Sequence, residues 1–291
     1  MDSTAKIPSN RPIAVIGAGT LGRRIALMFA TRGGLVRVHS RSAQRDAEAA
    51  AFIDERLPKL AATIAGGTPG KVEFDADLAK VVADAWLVVE SVPEQLELKR
   101  ELFADLDRLA PADAILATNS SSYPSSRMID QVQHPERVLN LHFFMPPEAP
   151  AVELMSCGHT DPAIIERLMQ ALPAFGLTPF LAQRESMGFI YNRIWAAIKR
   201  EALAVVAEGV AAPADVDRLF TMVLRAPLGP FLMMDWVGLD VVLDIENNYA
   251  AALPGIPQGP RELLRRYIAD GRLGMKSGRG FYDDYSKFGV G

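Results

Sequence analysis

Pro12-Ile13-Ala14-Val15-Ile16-Gly17-Ala18-Gly19-Thr20-Leu21-Gly22 decides the fold, because a short buried-type strand runs directly into a glycine turn. Just downstream, Leu21, Ile25, Met28 and Phe29 fall at the spacing of one helix face, and Val36-Arg37-Val38-His39-Ser40 reads as a second strand. Strand, turn, helix and strand within about thirty residues make a βαβ unit, whose strands are parallel and whose crossover is right-handed.

Each glycine has its own task in such a unit: Gly17 makes the tight turn, Gly19 lets a ligand approach the backbone, and Gly22 lets the helix pack on the strand. The helix start offers free N–H groups, those of Thr20 and Leu21 among them, together with the positive end of the helix dipole. This arrangement predicts a dinucleotide whose pyrophosphate lies on Gly17, Gly19, Thr20, Leu21 and Gly22. Which dinucleotide depends on the end of the second strand, where a carboxylate would hold a ribose 2'-hydroxyl and repel a 2'-phosphate. The chain has His39-Ser40-Arg41-Ser42 there, and a hydroxyl with a guanidinium suits a phosphate. NADP(H) is therefore the expected cofactor, held by Ser40 and Arg41, with NAD(H) the alternative if Arg41 is only a solvated surface charge.

Further apolar runs lie at Trp86 to Glu90, Ala114 to Thr118, Val138 to Phe144, Ala151 to Met155 and Thr178 to Leu181, separated by helix-compatible segments such as Gln95 to Leu109. The pattern predicts an α/β protein with an N-terminal doubly wound sheet over residues 1–185. Ala43 to Ala65 carries no strand signal and reads as a helical excursion ending in Gly66-Gly67-Thr68-Pro69-Gly70. Beyond Glu185, Ile190, Ile194, Ala197, Ile198 and Val205 form a helical stripe, and Leu219 to Leu224, Phe231 to Leu243 and Glu262 to Ile268 also look helical. Residues 186–291 are thus expected to form an all-helical second domain, in which Met222, Met233, Met234 and Trp236 are core or dimer-facing side chains.

With 291 residues, 49% of them hydrophobic, and a formal net charge of -4, the chain can bury a large core and has no polybasic tract. Nucleic acid and anionic membranes are not expected partners. Cys157 is the single cysteine, which excludes an internal disulfide; beside Val152, Leu154 and Met155 it looks like strand filling rather than a nucleophile. The polar N-terminus lacks a signal-peptide core, no apolar run reaches membrane-spanning length, and Phe288-Gly289-Val290-Gly291 is not a peroxisomal address. The cytoplasm is the expected location, and no metal site is expected.

Chemistry concentrates between Asn119 and Glu153. A serine cluster (Ser120, Ser121, Ser122) ends one apolar run, His142 lies in the next, and Glu153 in the one after. If the three converge, a hydroxyl, an imidazole and a carboxylate form a proton-handling site, with the carboxylate fixing the tautomer of the ring. Taken alone, a histidine such as His142 beside Phe143 and Phe144 is more often a satisfied core residue.

With these pieces in place, the chain resembles the L-3-hydroxyacyl-CoA dehydrogenase family along nearly its whole length. The matching stretches include Gly17 to Ala26, Asp75 to Phe103, Ala117 to Ser122, Leu141 to Pro146, Val152 to Met155, Gly188 to Arg193, Arg225 to Asp240 and Gly271 to Tyr285. The resemblance implies an N-terminal Rossmann domain followed by a helical domain that dimerises. It implies that His142 is the catalytic acid or base, Glu153 its orienting partner, and Ser121 and Asn192 hydrogen-bond partners of the reacting oxygen and the base. Glu94, Lys99 and Lys276 are placed near the cofactor by the same likeness, and Asn119 joins them. A homodimer through the C-terminal domain and a small ketone or hydroxy substrate follow as expectations.

Three departures from the family pattern stand out. Met145 occupies a position where the family usually has Asn, making the pocket more apolar; His39-Ser40-Arg41 replaces the usual Asp; and the excursion from Arg45 to Gly70 is short. Around it only Arg45, Arg56, Lys59 and Lys71 are available against Asp46, Glu48, Asp54 and Glu55, a thin supply of cations for the phosphates of CoA. The leading expectation is an NAD(P)-dependent oxidoreductase acting on a 3-hydroxyacyl or related β-hydroxy carbonyl compound. Its alternatives are a ketoreductase or hydroxy-acid dehydrogenase with a non-CoA substrate, and a dinucleotide-binding sensor that has lost turnover.

Overall fold

The computed structural model describes residues 11–288, so the terminal segments on which the targeting expectations rest lie outside the described residues. The first unit is built from β1 (Ile13–Ile16), α1 (Thr20–Phe29), β2 (Leu35–His39), α2 (Ala43–Thr63), β3 (Lys71–Asp75), α3 (Leu78–Val82) and β4 (Leu87–Glu90). It continues with α4 (Leu96–Leu109), β5 (Ile115–Thr118), β6 (Val138–Met145), β7 (Ala149–Ser156), α5 (Pro162–Ala171) and β8 (Thr178–Ala182). All eight strands join one sheet in the order β3-β2-β1-β4-β5-β6-β7-β8.

The double winding is visible in β1 alone. Ile13 and Val15 pack in one core with Ile25, Met28 and Phe29 of α1, while Ala14 and Ile16 pack in another with Phe103 and Leu106 of α4. Successive side chains of a strand point to opposite faces, so a strand covered on both sides has no polar position, and all four residues of β1 are buried. β1 pairs in parallel with both β2 and β4, in a register that aligns Ile16 with His39 on one side and with Glu90 on the other. Here the strand order reverses, and the crevice beyond the carboxyl ends of β1 and β4 is the place where such sheets bind ligands.

Two features of the sheet lie outside the predicted strand set. β3 is an additional edge strand: Lys71-Val72-Glu73-Phe74-Asp75 alternates polar and apolar residues and is only partly buried, so it shows no continuous apolar run. β7 runs antiparallel to β6, and β8 parallel to β7, so the sheet is mixed at this end. The excursion is one helix, α2, begun by Ser42, whose hydroxyl accepts from the Arg45 N–H, and continuing past Pro58.

The second compact unit, Tyr191–Gly291, is helical: α6 (Tyr191–Ala207), α7 (Pro213–Leu224), α8 (Pro230–Val237), α9 (Leu239–Ala252) and α10 (Gly259–Ala269). The single helix expected from Phe231 to Leu243 is two, because Gly238 takes a left-handed φ of 103° between α8 and α9. Buried Asp217 and Asp235 tie this unit together. Asp217 accepts from the N–H groups of Phe231 and Leu232 at the start of α8, and Asp235 from those of Phe281 and Tyr282. Burial pushes both carboxyls above the usual carboxylate range.

Candidate active site

The glycine turn fits a dinucleotide at each of its three positions. Gly17 has φ 115°, and a Cβ there would lie 2.6 Å from the Ser91 carbonyl oxygen. At Gly22 a Cβ would run into the Gly17 carbonyl oxygen, so this glycine permits the contact of helix and turn. Gly19 differs: a Cβ would meet nothing within 4 Å, which leaves its backbone open to a ligand. α1 starts from Gly19 without a side-chain cap and without an acidic residue in its first turn, so the N–H groups of Thr20 and Leu21 are left for an anion.

The turn is tied to the end of β2 by a hydrogen bond from the Gly17 N–H to the His39 carbonyl, 2.9 Å. Ser40 is buried, and its hydroxyl accepts from the Ser42 N–H at 3.2 Å; Arg41 is exposed. Burial, helped by the Arg41 charge, holds the His39 pKa below the usual imidazole value, opposed by the Asp75 backbone and by the charges of Asp75 and Asp46. His39 Nδ1 and Asp46 Oδ1 are both buried and have no hydrogen-bond partner among the described residues. Asp46, in the first turn of α2, is a carboxylate near the strand end that sequence order alone does not bring there.

Glu90, at the end of β4, anchors a buried network. Its carboxylate lies 2.6 Å from Lys99 Nζ and accepts from the Thr118 hydroxyl at 2.6 Å and the Val92 N–H at 2.7 Å. Lys99 also pairs with Glu94 at 3.2 Å, and Glu94 accepts from the Ser120 hydroxyl and from the Ser122 N–H. Lys99 is therefore a buried clamp on the segment after β4, and Glu90 is the partner that the sequence did not single out. The serine cluster divides in the same way, since Ser120 is buried and committed to this network whereas Ser121 is exposed.

His142 and Glu153 face each other directly across the β6–β7 ladder, with Nδ1 and Oε2 3.0 Å apart and both side chains buried. Antiparallel pairing puts residues eleven apart in sequence side by side on one face of the sheet. Phe189 stacks on the imidazole at 4.8 Å with 22° between the rings, and Phe144 approaches it at 4.8 Å. The Ile190 N–H donates to Glu153 Oε1 at 3.0 Å, so both oxygens of that carboxylate are engaged. Asn119 joins β5 to β6 by accepting from the Phe143 N–H at 2.8 Å. Met145, at the end of β6, is 42% exposed.

Asn192 and Lys276 belong to the second unit. Asn192 lies in the first turn of α6, and Lys276 Nζ pairs with Asp240 at 2.5 Å, which lowers the Asp240 pKa. Among the described residues no group of three or more His, Cys, Asp and Glu is placed to hold a metal ion. No described helix is long and apolar enough to cross a membrane. Cys157 is buried, with its thiol 3.3 Å from the Pro135 carbonyl oxygen.

Residues 12–185 match the family model described as 3-hydroxyacyl-CoA dehydrogenase, NAD binding domain, and residues 188–284 match the corresponding C-terminal domain. A 3-hydroxybutyryl-CoA dehydrogenase of Clostridioides difficile is 31% identical over 281 residues, covering 94% of this chain and 99% of the relative. The 5-formyl-3-hydroxy-2-methylpyridine 4-carboxylate 5-dehydrogenase of Mesorhizobium japonicum is 29% identical over 280 residues, covering 94% of this chain and 90% of that protein. Among solved structures, a diketoreductase superposes with a TM-score of 0.81 at 28% identity, covering 96% of this chain and 100% of the other.

Proposed function

The chain belongs to the 3-hydroxyacyl-CoA dehydrogenase family of nicotinamide-dependent oxidoreductases acting on CH–OH groups, and we propose that it interconverts a 3-hydroxyacyl or related β-hydroxy carbonyl compound and its ketone, with His142 and Glu153 moving the proton. The observation that carries this reading is the buried His142–Glu153 pair. Glu153 holds Nδ1–H, which leaves Nε2 to take the hydroxyl proton in oxidation and return it in reduction. Phe189 and Phe144 keep bulk water from the ring. Ser121 and Asn192 serve the reacting oxygen and the base. When bound, the nicotinamide supplies or takes up the hydride. Gly17, Gly19, Thr20, Leu21 and Gly22 hold the dinucleotide, while Glu94, Asn119 and Lys276 lie near it and Lys99 holds Glu94 in place.

His142→Ala is expected to lower kcat by about 10²-fold or more while leaving the dinucleotide dissociation constant nearly unchanged. Near-normal turnover in steady-state assays would sink the reading. A second substrate class is favoured by one observation, the exposed thioether of Met145 at the end of the strand that carries His142. It suits a ketone or hydroxy acid without CoA, in line with the dicarbonyl compounds named for the diketoreductase and the formylpyridine carboxylate named for the Mesorhizobium dehydrogenase.

NADP(H) is the preferred cofactor in this reading, with the exposed Arg41 guanidinium meeting the 2'-phosphate. The Asp46 carboxylate near His39 favours NAD(H) instead. Arg41→Ala is expected to lower the NADPH to NADH ratio of kcat/KM by about tenfold, the worth of a charge-assisted hydrogen bond. If Arg41→Ala leaves that ratio alone and Asp46→Asn raises it, the cofactor is NAD(H).

A further inference from the structure

One carboxylate oxygen grips the turn that carries Ser121 from both sides. Glu94 Oε1 accepts from the Ser120 hydroxyl before Ser121 and from the Ser122 N–H after it, the latter at 3.1 Å. The Ser120 hydroxyl also accepts from the Tyr123 N–H at 2.9 Å, and the Ser120 N–H donates to the Thr118 hydroxyl at 3.0 Å. Ser120 is buried by these contacts, whereas Ser121 is exposed between the two held residues.

Behind the grip stands a buried charge pair. Glu94 Oε2 lies 3.2 Å from Lys99 Nζ, which lies 2.6 Å from Glu90 Oε1. Glu90 Oε1 also accepts from the Val92 N–H, and Oε2 from the Thr118 hydroxyl at 2.6 Å. Glu90 therefore reaches the serine turn by two routes, one through Lys99 and Glu94 and the other through Thr118 to the Ser120 N–H. Glu90 and Lys99 are both buried, and a buried charge is costly to leave unpaired, so each keeps the other in place.

The turn is anchored on the other side as well. Asn119 accepts from the Phe143 N–H, next to His142, while the Ser91 N–H at the end of β4 donates to the Ile16 carbonyl at 2.8 Å, beside the glycine turn. Ser121 thus sits on a turn fixed between the strand of His142 and the crevice in which the dinucleotide is expected. A hydroxyl on a free loop samples many positions, and a group orients a reacting oxygen well only when its supports hold it in place beforehand.

We propose that Glu90 and Ser120 are positioning residues for the carbonyl–alcohol reaction: Ser120 ties the turn to Glu94, Glu90 fixes that carboxylate and Thr118, and Ser121 is thereby held where it meets the substrate oxygen. This rests on the reading of Ser121 as a partner of that oxygen. In this arrangement Glu90 and Ser120 act through their neighbours and touch neither substrate nor dinucleotide.

The test is a double-mutant cycle on the reduction of acetoacetyl-CoA and of free acetoacetate, with NADH and with NADPH. Ser121→Ala, Ser120→Ala and Glu90→Gln should each lower kcat about tenfold or more, the scale of loss that a misplaced contact causes. In the Ser121→Ala background, Ser120→Ala and Glu90→Gln should each cost less than about twofold more, because the hydroxyl they position is gone. A purely structural role would shift the melting temperature without this non-additivity. Ser120→Ala carries the test if Glu90→Gln fails to fold. Losses that multiply in the double variants overturn the proposal, as does the absence of loss in any folded single variant. A fall in dinucleotide affinity in Ser120→Ala, read by fluorescence, that accounts for the lost turnover overturns it too. If the wild type reduces neither ketone, the proposed activity fails separately and amide hydrogen exchange decides on the turn. Ser120→Ala should then speed exchange at the Ser122 N–H about tenfold, and unchanged exchange overturns the proposal.

Discussion

An alanine at Gly19 would meet no atom within 4 Å, whereas one at Gly22 would drive its methyl into the Gly17 carbonyl oxygen, so two glycines of one turn should fail differently. Gly19→Ala is expected to keep the wild-type melting temperature and to weaken dinucleotide binding about tenfold or more, because the methyl occupies the ligand's approach. Gly22→Ala should lose on the order of 2 kcal/mol of stability by overpacking, measured by denaturant unfolding. Equal melting temperatures for the two variants would refute the distinction. Both roles were legible in the sequence because a glycine turn is local. Phe189 was not legible: it holds φ 55°, an unfavourable state for a bulky residue costing about 1 kcal/mol, and in doing so sets its ring on His142. The neighbouring Ile190 N–H reaches Glu153, and no spacing in the sequence announces that contact.

At the scale of elements, the site depends on the direction and register of β7. A slip of one residue would turn Glu153 to the other face of the sheet and leave His142 without its carboxylate. The sequence shows two apolar runs there but not that they pair antiparallel. In the second unit, α6 carries a liability of its own. Lys199 is buried, with the Glu246 and Arg200 charges nearby, and burial lowers its pKa from 10.5. Between the lowered value and about 10.5 the unfolded chain holds a proton that the folded chain has released, so stability rises with pH in that window. Below the lowered value the whole cost of the buried charge applies. Lys199→Met, nearly isosteric, should gain on the order of 1 kcal/mol at neutral pH and flatten the rise toward pH 10. Loss of stability in thermal unfolding across that range would show that the ammonium is satisfied in the fold.

For the molecule as a whole, the second unit leaves Met222 70% and Trp236 67% exposed, with Leu219, Val223 and Val237 also open. Large apolar side chains left exposed in number mark an interface. We propose on this ground that the expected homodimer uses α7 and α8, so that Met222→Glu with Trp236→Glu should shift the mass measured by light scattering from dimer to monomer. A wild-type monomer at micromolar concentration would count against it.

By itself, the sequence determined the βαβ start, the double winding around β1 and the helical second unit, because these depend on periodicity and glycine placement along short stretches, and it singled out His142 and Glu153 as candidates whose roles came from the family resemblance. Only the tertiary structure decided that β7 runs antiparallel to β6 and seats Glu153 on His142, that Lys99 is buried on Glu90, that Asp46 approaches His39, and that Glu94 holds both flanks of Ser121. These pairings join residues on different elements. Strand direction and helix packing set such distances through burial and hydrogen bonding over the whole unit, and no local pattern encodes them.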